Sequence, residues 1–445
     1  MTLLGILATI VLLGILIFVH EFGHFIIARA CKVKVEKFSF GFGPKLFSKT
    51  IRETEYRVSL IPLGGYVKML GENPDEQEGD STPSRESFQN RKWWQKVFIA
   101  AGGPLANFIF AILIFILTLL VGIKTYDFPP VVGKIQSEEL REVTQLQPKD
   151  KIIAIDGKEI DGWMSILQIW SDDHNKIHEV TVERNNKVTT IEIPGFEKEN
   201  WLTQIKPFAP PIIGEVMFGM PAYEAGIQKN DKIIAINDQP IADWYEMQNI
   251  IQKNAGNELI FTIERDGEHL NLSLTPQTSP ELSQEVGIIG ISQSMTVTSI
   301  ERYNLPDAIR YGFTTTIAAI GNYYEGLFFL LCSPSQLSKS IGGPITIAAI
   351  SGQQVQEGLG AFLSFMGTIS IILMVMNLLP IPILDGGQII FALWEGIAGK
   401  PLKPAIQEQL QHIGLAIILF LVFLAFYNDI SRFVTRYFFS KNLLQ

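Results

Sequence analysis

At 445 residues the chain has room for about three domains. Hydrophobic residues make up 47% of it and aromatic ones 11%, with a mean hydropathy of +0.22, which fits a membrane protein carrying a water-soluble part. A net charge of −9 leaves no basic footprint for a nucleic acid, and two cysteines without a CxxC exclude a disulfide framework.

Residues 1–30 predict a first transmembrane helix, uncharged up to Val19. A cleaved signal peptide is not expected, because the run lacks a basic start and a small-residue cleavage site and continues straight into His20. Its end carries His20-Glu21-Phe22-Gly23-His24, an HExxH motif. On a helix the two histidines are i and i+4, so they share a face and can hold one zinc ion. Glu21 projects near the metal's open position, where a carboxylate can take a proton from the attacking water. Ionisable groups at this depth point to function, because burying them is costly. The site still needs a third protein ligand from downstream.

Residues 31–96 form a polar loop dense in Lys and Arg, beginning Arg29, Lys32, Lys34 and Lys37 at its border. The positive-inside rule makes it cytoplasmic and places HExxH near the cytoplasmic end of the first helix. Alternation at residues 34–47 and 56–69, punctuated by Gly41-Phe42-Gly43-Pro44 and Pro62-Leu63-Gly64-Gly65, predicts a small sheet. The acidic stretch 72–86 reads as a surface loop. Residues 97–124 predict the second transmembrane helix, in which Gly102-Gly103-Pro104 permits close approach of a neighbour. Asn107 there faces either the site or an ordinary helix contact.

Residues 127–208 and 209–293 are two copies of one unit, since residues 150–160 recur as 231–241, each followed by a tryptophan, Trp163 or Trp244. Both resemble PDZ domains, α+β modules that bind an extended peptide along a sheet edge. The second is the better match, with Ala225-Gly226 leading into Asp231; the first lacks that pair. Residues 294–358 predict amphipathic, interfacial helices. Residues 359–395 and 405–434 predict the third and fourth transmembrane helices. With four crossings Asp385 lands on the cytoplasmic side, level with His20 and His24; a fifth would carry it out of reach. The expected fold is a polytopic α-helical membrane protein of four transmembrane helices, with a membrane-associated β-hairpin or sheet and two tandem PDZ-like domains.

The HExxH motif, Asn377-x-x-Pro380-x-Pro382 and Leu384-Asp385-Gly386 together resemble the bacterial branch of the site-2 proteases, zinc intramembrane proteases, over essentially the whole chain. The resemblance implies His20, His24 and Asp385 as zinc ligands and Glu21 as the catalytic carboxylate. It further implies a membrane-associated hairpin around Gly41, Phe42 and Gly43. Pro380 and Pro382 cannot continue a helix, so they are expected to turn Asp385 toward the metal. An unwound substrate needs partners for its backbone in the bilayer; the sheet of residues 34–69 is expected to supply them, with Asn377 adding a hydrogen bond.

By the same resemblance the protein is expected in the bacterial inner membrane. Its PDZ-like domains would be periplasmic, and its substrates would be proteins with a single transmembrane helix, first cut by an upstream protease. An anti-sigma factor of an envelope stress response and leftover signal peptides are the expected examples. The competing reading is a non-catalytic membrane scaffold that binds periplasmic tails through its PDZ-like domains.

Overall fold

The structure is a computed structural model that describes residues 3–72, 85–172, 176–195, 204–217, 219–278, 286–332 and 342–442. Most of the predicted acidic loop at 72–86 lies outside these residues. The chain forms two compact units: Met1–Ile123 with Arg302–Ile430, and Lys124–Glu301 with Ser431–Gln445.

The first unit is helical. Among the described residues, four helices are long and apolar enough to cross a membrane: Leu3–Ala30, Trp93–Val121, Leu359–Asn377 and Pro404–Ser431. They overlap the four predicted spans, the third covering only the first part of its predicted range. Helix α1 (Leu3–Ala30) packs on α2 (Trp93–Val121) through glycines. A methyl group added at Gly23 would lie 2.2 Å from the Gly102 carbonyl oxygen, so the two backbones touch. Between these helices, strands β1 (Val35–Ile51) and β2 (Thr54–Met69) fold into a bulged antiparallel sheet. Lys37–Phe40 aligns with Glu55–Val58 on one side and with residues 65–68 on the other. Val35, Phe38, Val67 and Met69 bury against Phe25 and Ala28 of α1 and Ile99 of α2. The sheet is therefore packed onto the HExxH turn.

Residues 294–358 include helices α3 (Leu305–Cys332) and α4 (Pro344–Glu357). Helix α3 lies along α2, with Gly312 against Ile116 and Ala319, Ile320 and Tyr323 beside Phe108 and Phe115. Helix α4 lies along α1, with Gly5 against the Ala348 carbonyl. Residues 359–395, expected as one helix, are two. Helix α5 (Leu359–Asn377) ends before Pro380 and Pro382, and α6 (Asp385–Ala398) starts at the ligand candidate itself. The prolines' fixed φ and missing N–H explain the break. Lys96 of α2 binds Glu395 of α6 at 2.7 Å, fastening the second piece. Helix α7 (Pro404–Asn442) carries Asp429, fully buried, whose carboxylate accepts from the backbone N–H groups of Gly343, Ile345 and Thr346 and from the Thr346 hydroxyl. Those are the unsatisfied donors at the start of α4.

The second unit holds the two repeats. Each has a four-stranded sheet of the same order, built on Lys151–Ile155 and His178–Arg184 in the first copy and on Lys232–Ile236 and Leu259–Arg265 in the second. Each also has a separate two-stranded ladder, Val132–Ile135 with Ile205–Pro207 and Ile213–Val216 with Ile291–Gln293. A ten-residue helix covers each core, Trp163–Asp172 and Trp244–Lys253. Asp150 and Asp231 sit in the turn before the first main strand, and each carboxylate holds an arginine by two 2.7 Å bonds, Arg184 and Arg265.

Candidate metal centre

Two helices bring the three ligand candidates together. His20 and His24, one turn apart on α1, point their Nε2 atoms at one spot, 3.2 Å from each other. Asp385, at the first turn of α6, places Oδ2 3.2 Å from His20 Nε2 and Oδ1 3.4 Å from His24 Nε2. Zinc bonded at about 2.0–2.1 Å to tetrahedral ligands requires donor atoms about 3.3 Å apart, so these separations suit one ion. Among the described residues, Asp385 Oδ2 is buried without a hydrogen-bond partner, as expected of an oxygen whose partner is a metal.

Helix α2 forms the third wall. A methyl group added at Gly103 would come within 2.4–2.6 Å of His24 Nε2 and of His20 Cε1 and Nε2. Only glycine leaves the space between the imidazoles open. The same helix orients His24, whose Nδ1–H donates to the Ile99 carbonyl at 2.8 Å. That bond fixes the proton on Nδ1 and leaves the Nε2 lone pair free for a metal. His20 Nδ1 faces the Asn107 side chain at 3.3 Å. Two imidazoles and a carboxylate are a donor set suited to zinc.

Glu21 is half-buried on the wall of a cavity of about 680 Å³ that contains all three ligand candidates. Tyr66, Val67 and Met69 of β2 form another wall, and Gln388, Gln407 and Gln411 add polar groups. β2 passes close to the carboxylate: a methyl group at Gly65 would lie 3.1 Å from Glu21 Cγ.

The other predicted residues stand outside that lining. Gly41 and Gly43 take φ of +89° and +84°, left-handed conformations that permit the bulges of β1. Phe42 stacks on Tyr66 at 6.4 Å and so touches the cavity wall from behind. Asn377 is the half-buried last residue of α5. Pro380 is exposed, and Pro382 accepts a 3.4 Å bond from Gln388 through its carbonyl. Sequence reasoning missed Tyr66, Val67 and the Ile99 carbonyl. It read Gly103 as a packing residue, although a Gly-Gly-Pro run inside an uncharged span was the available signal.

Comparison with known proteins gives the family. The family description "Peptidase family M50" matches residues 8–421. The chain is 34% identical to the regulator of sigma-E protease RseP of Salmonella typhimurium, over 96% of this chain and 98% of that one. It is 34% identical to the protein of that name from Escherichia coli, over 95% and 97%. A putative zinc metalloprotease of Pasteurella multocida is 33% identical over 95% and 98%. Among solved structures, the PDZ domain of EpsC from Vibrio cholerae is 18% identical and covers 25% of this chain and 92% of that one at a TM-score of 0.11, which assigns no fold. Agreement over nearly the whole length, HExxH helix included, makes the chain a member of peptidase family M50 and a metalloendopeptidase.

Proposed function

We propose that the protein is a zinc-dependent intramembrane endopeptidase that cuts transmembrane segments of membrane proteins already shortened by an upstream protease. One observation carries the reading: His20, His24 and Asp385 converge beside Glu21 within a bundle of apolar helices. What zinc supplies there is Lewis acidity, polarising a carbonyl and acidifying a water. Glu21 takes the proton of the attacking water and returns it to the leaving amine, the two proton transfers that peptide hydrolysis needs. Asp385 reaches the site from a helix start, where an ionised carboxylate is favoured.

A transmembrane substrate must unwind before it is cut, and its freed backbone groups then need partners. Among the described residues, 65–69 pair with β1 alone, leaving the opposite edge beside Glu21 to receive an extended segment as an added strand. Gly41, Phe42 and Gly43 shape that sheet from behind, and Asn377, Pro380 and Pro382 contact the substrate farther from the metal. Because φ is +84° at Gly43, Gly43→Val strains the sheet; cleavage of a helical substrate should fall more than cleavage of a helix-destabilised one. Equal losses would remove the clamp.

The reading puts the metal near the cytoplasmic face of a bacterial inner membrane and the repeat unit in the periplasm. An anti-sigma factor of a stress response and remnant signal peptides are the substrates it names; the relatives' printed name, regulator of sigma-E protease, supports a link to a sigma factor. The second repeat carries a mostly apolar groove of about 250 Å³ between its helix and residues 287–291, lined by Met217, Met220, Met247 and Ile251. That groove suits an extended peptide and supports the PDZ reading. Tested on the full chain in detergent, Glu21→Gln should keep its zinc and lose roughly 10²–10⁴-fold in cleavage of a transmembrane reporter. Unchanged cleavage would overturn the mechanism.

A further inference from the structure

We propose that Asn107 is a positioning residue, the outer hydrogen-bond partner that fixes His20 in the tautomer able to bind a metal. The inference deepens the metallopeptidase reading and rests on it. Asn107 lies on α2 and is 0% exposed. Its side-chain nitrogen is 3.3 Å from His20 Nδ1, while its Oδ1, also buried, has no hydrogen-bond partner among the described residues. A buried amide with an orphaned oxygen beside a ligand imidazole calls for an explanation, because such groups are rarely left unmade.

The two histidines supply the argument. Both turn Nε2 toward Asp385, so each must carry its proton on Nδ1 to offer Nε2 as a ligand. For His24 the acceptor is the Ile99 carbonyl. For His20 the group in the corresponding place is the Asn107 amide, on the same helix. With its NH₂ toward Nδ1, the amide suits an imidazole whose proton is on Nε2. With Oδ1 toward Nδ1, reached by a half-turn about the Cβ–Cγ bond, it accepts the Nδ1 proton and frees Nε2. The half-turn leaves one unpartnered polar atom either way. It gains a bond to an imidazole that metal ligation makes a stronger donor.

The surroundings hold the amide in reach. Asn107's own carbonyl accepts from the Ser370 hydroxyl of α5 at 2.9 Å, and the Gly23–Gly102 contact locks α1 to α2 nearby. One helix thus provides both outer partners, a carbonyl for His24 and an amide for His20.

The test compares N107L, close in volume and without polar atoms, with N107D, which keeps an acceptor. Zinc affinity is measured on the full chain in detergent by competition with a chelator. N107L should weaken zinc binding roughly 10- to 100-fold, and N107D should bind at least as tightly as wild type. A mere packing role predicts the reverse order, since leucine suits an apolar helix contact and a buried carboxylate does not. N107L with wild-type affinity, or N107D weaker than N107L, would overturn the inference. If N107L does not accumulate, the visible spectrum of cobalt-loaded N107D decides: a band shifted from wild type supports it, an unmoved band rejects it. Wild type failing to bind zinc would sink the metallopeptidase reading instead, a separate result.

Discussion

The repeat unit and the helical unit put buried carboxylates to opposite uses. Asp150 and Asp231 are each 1% exposed, and each is saturated by a two-point arginine and a turn N–H, from Gln147 or Gln228. Asp385, in the helical unit, leaves a buried oxygen without a hydrogen bond and faces two imidazoles. Location does not make the difference, because Asp429 of the helical unit is as fully satisfied as the repeat aspartates. A carboxylate whose acceptors are all filled builds structure; one left open among converging donors awaits a ligand.

The largest break in that contrast should come from Gly103→Ala. Its methyl group occupies the space between the imidazoles, so zinc affinity measured by chelator competition should fall by more than about 100-fold and reporter cleavage should vanish. An alanine variant with full zinc content would mean that the ligands meet the metal elsewhere. Asp231→Ala should do the opposite. Removing one partner of a buried pair is expected to cost about 3 kcal/mol of stability, seen as an earlier denaturation midpoint of the second repeat, while zinc affinity stays put.

The smallest effect separates the two repeats. Asp156 of the first accepts from the Glu179 N–H at 2.9 Å, and Asn237 of the second accepts from Ile260 at the same distance. The Glu179 N–H, helped by His178 and Lys176, holds the Asp156 carboxyl down at about 2. A carboxyl lowered on folding stabilises above its unfolded value, near 3.8, and loses that contribution as pH falls toward 2. Hydrogen exchange between pH 4 and 2 should therefore loosen this turn in the first repeat more than in the second. Asp156→Asn should make the two alike; a persistent gap would assign the acid sensitivity to another group.

The candidate site was legible in the sequence because its parts are local. HExxH fixes its own geometry through helical periodicity, and Asp385 is announced by prolines that end one helix before it. The repeats were legible because their turn aspartates and strands recur in register. What stayed hidden depends on contact between distant segments. The Ile99 carbonyl is a backbone atom that no residue code marks, and Gly103 acts through space it leaves empty. Tyr66 and Val67 look like ordinary strand residues until the sheet packs on α1. The tryptophans of the repeats were visible, yet only the structure shows a second difference: Trp170, 2% exposed, stands where Ile251 stands under the groove of the second copy.

The break between α5 and α6 has a consequence for the molecule's cohesion. His24 and Asp385 lie near opposite ends of the sequence, and the prolines make Asp385 the tip of a jointed segment. An ion shared between them, as proposed, would act as a crosslink closing a loop of most of the chain. Closing long loops removes the most freedom from an unfolded chain, growing with the logarithm of loop length. On the proposed ligand set, metal loading would therefore add to the protein's stability as well as to its chemistry.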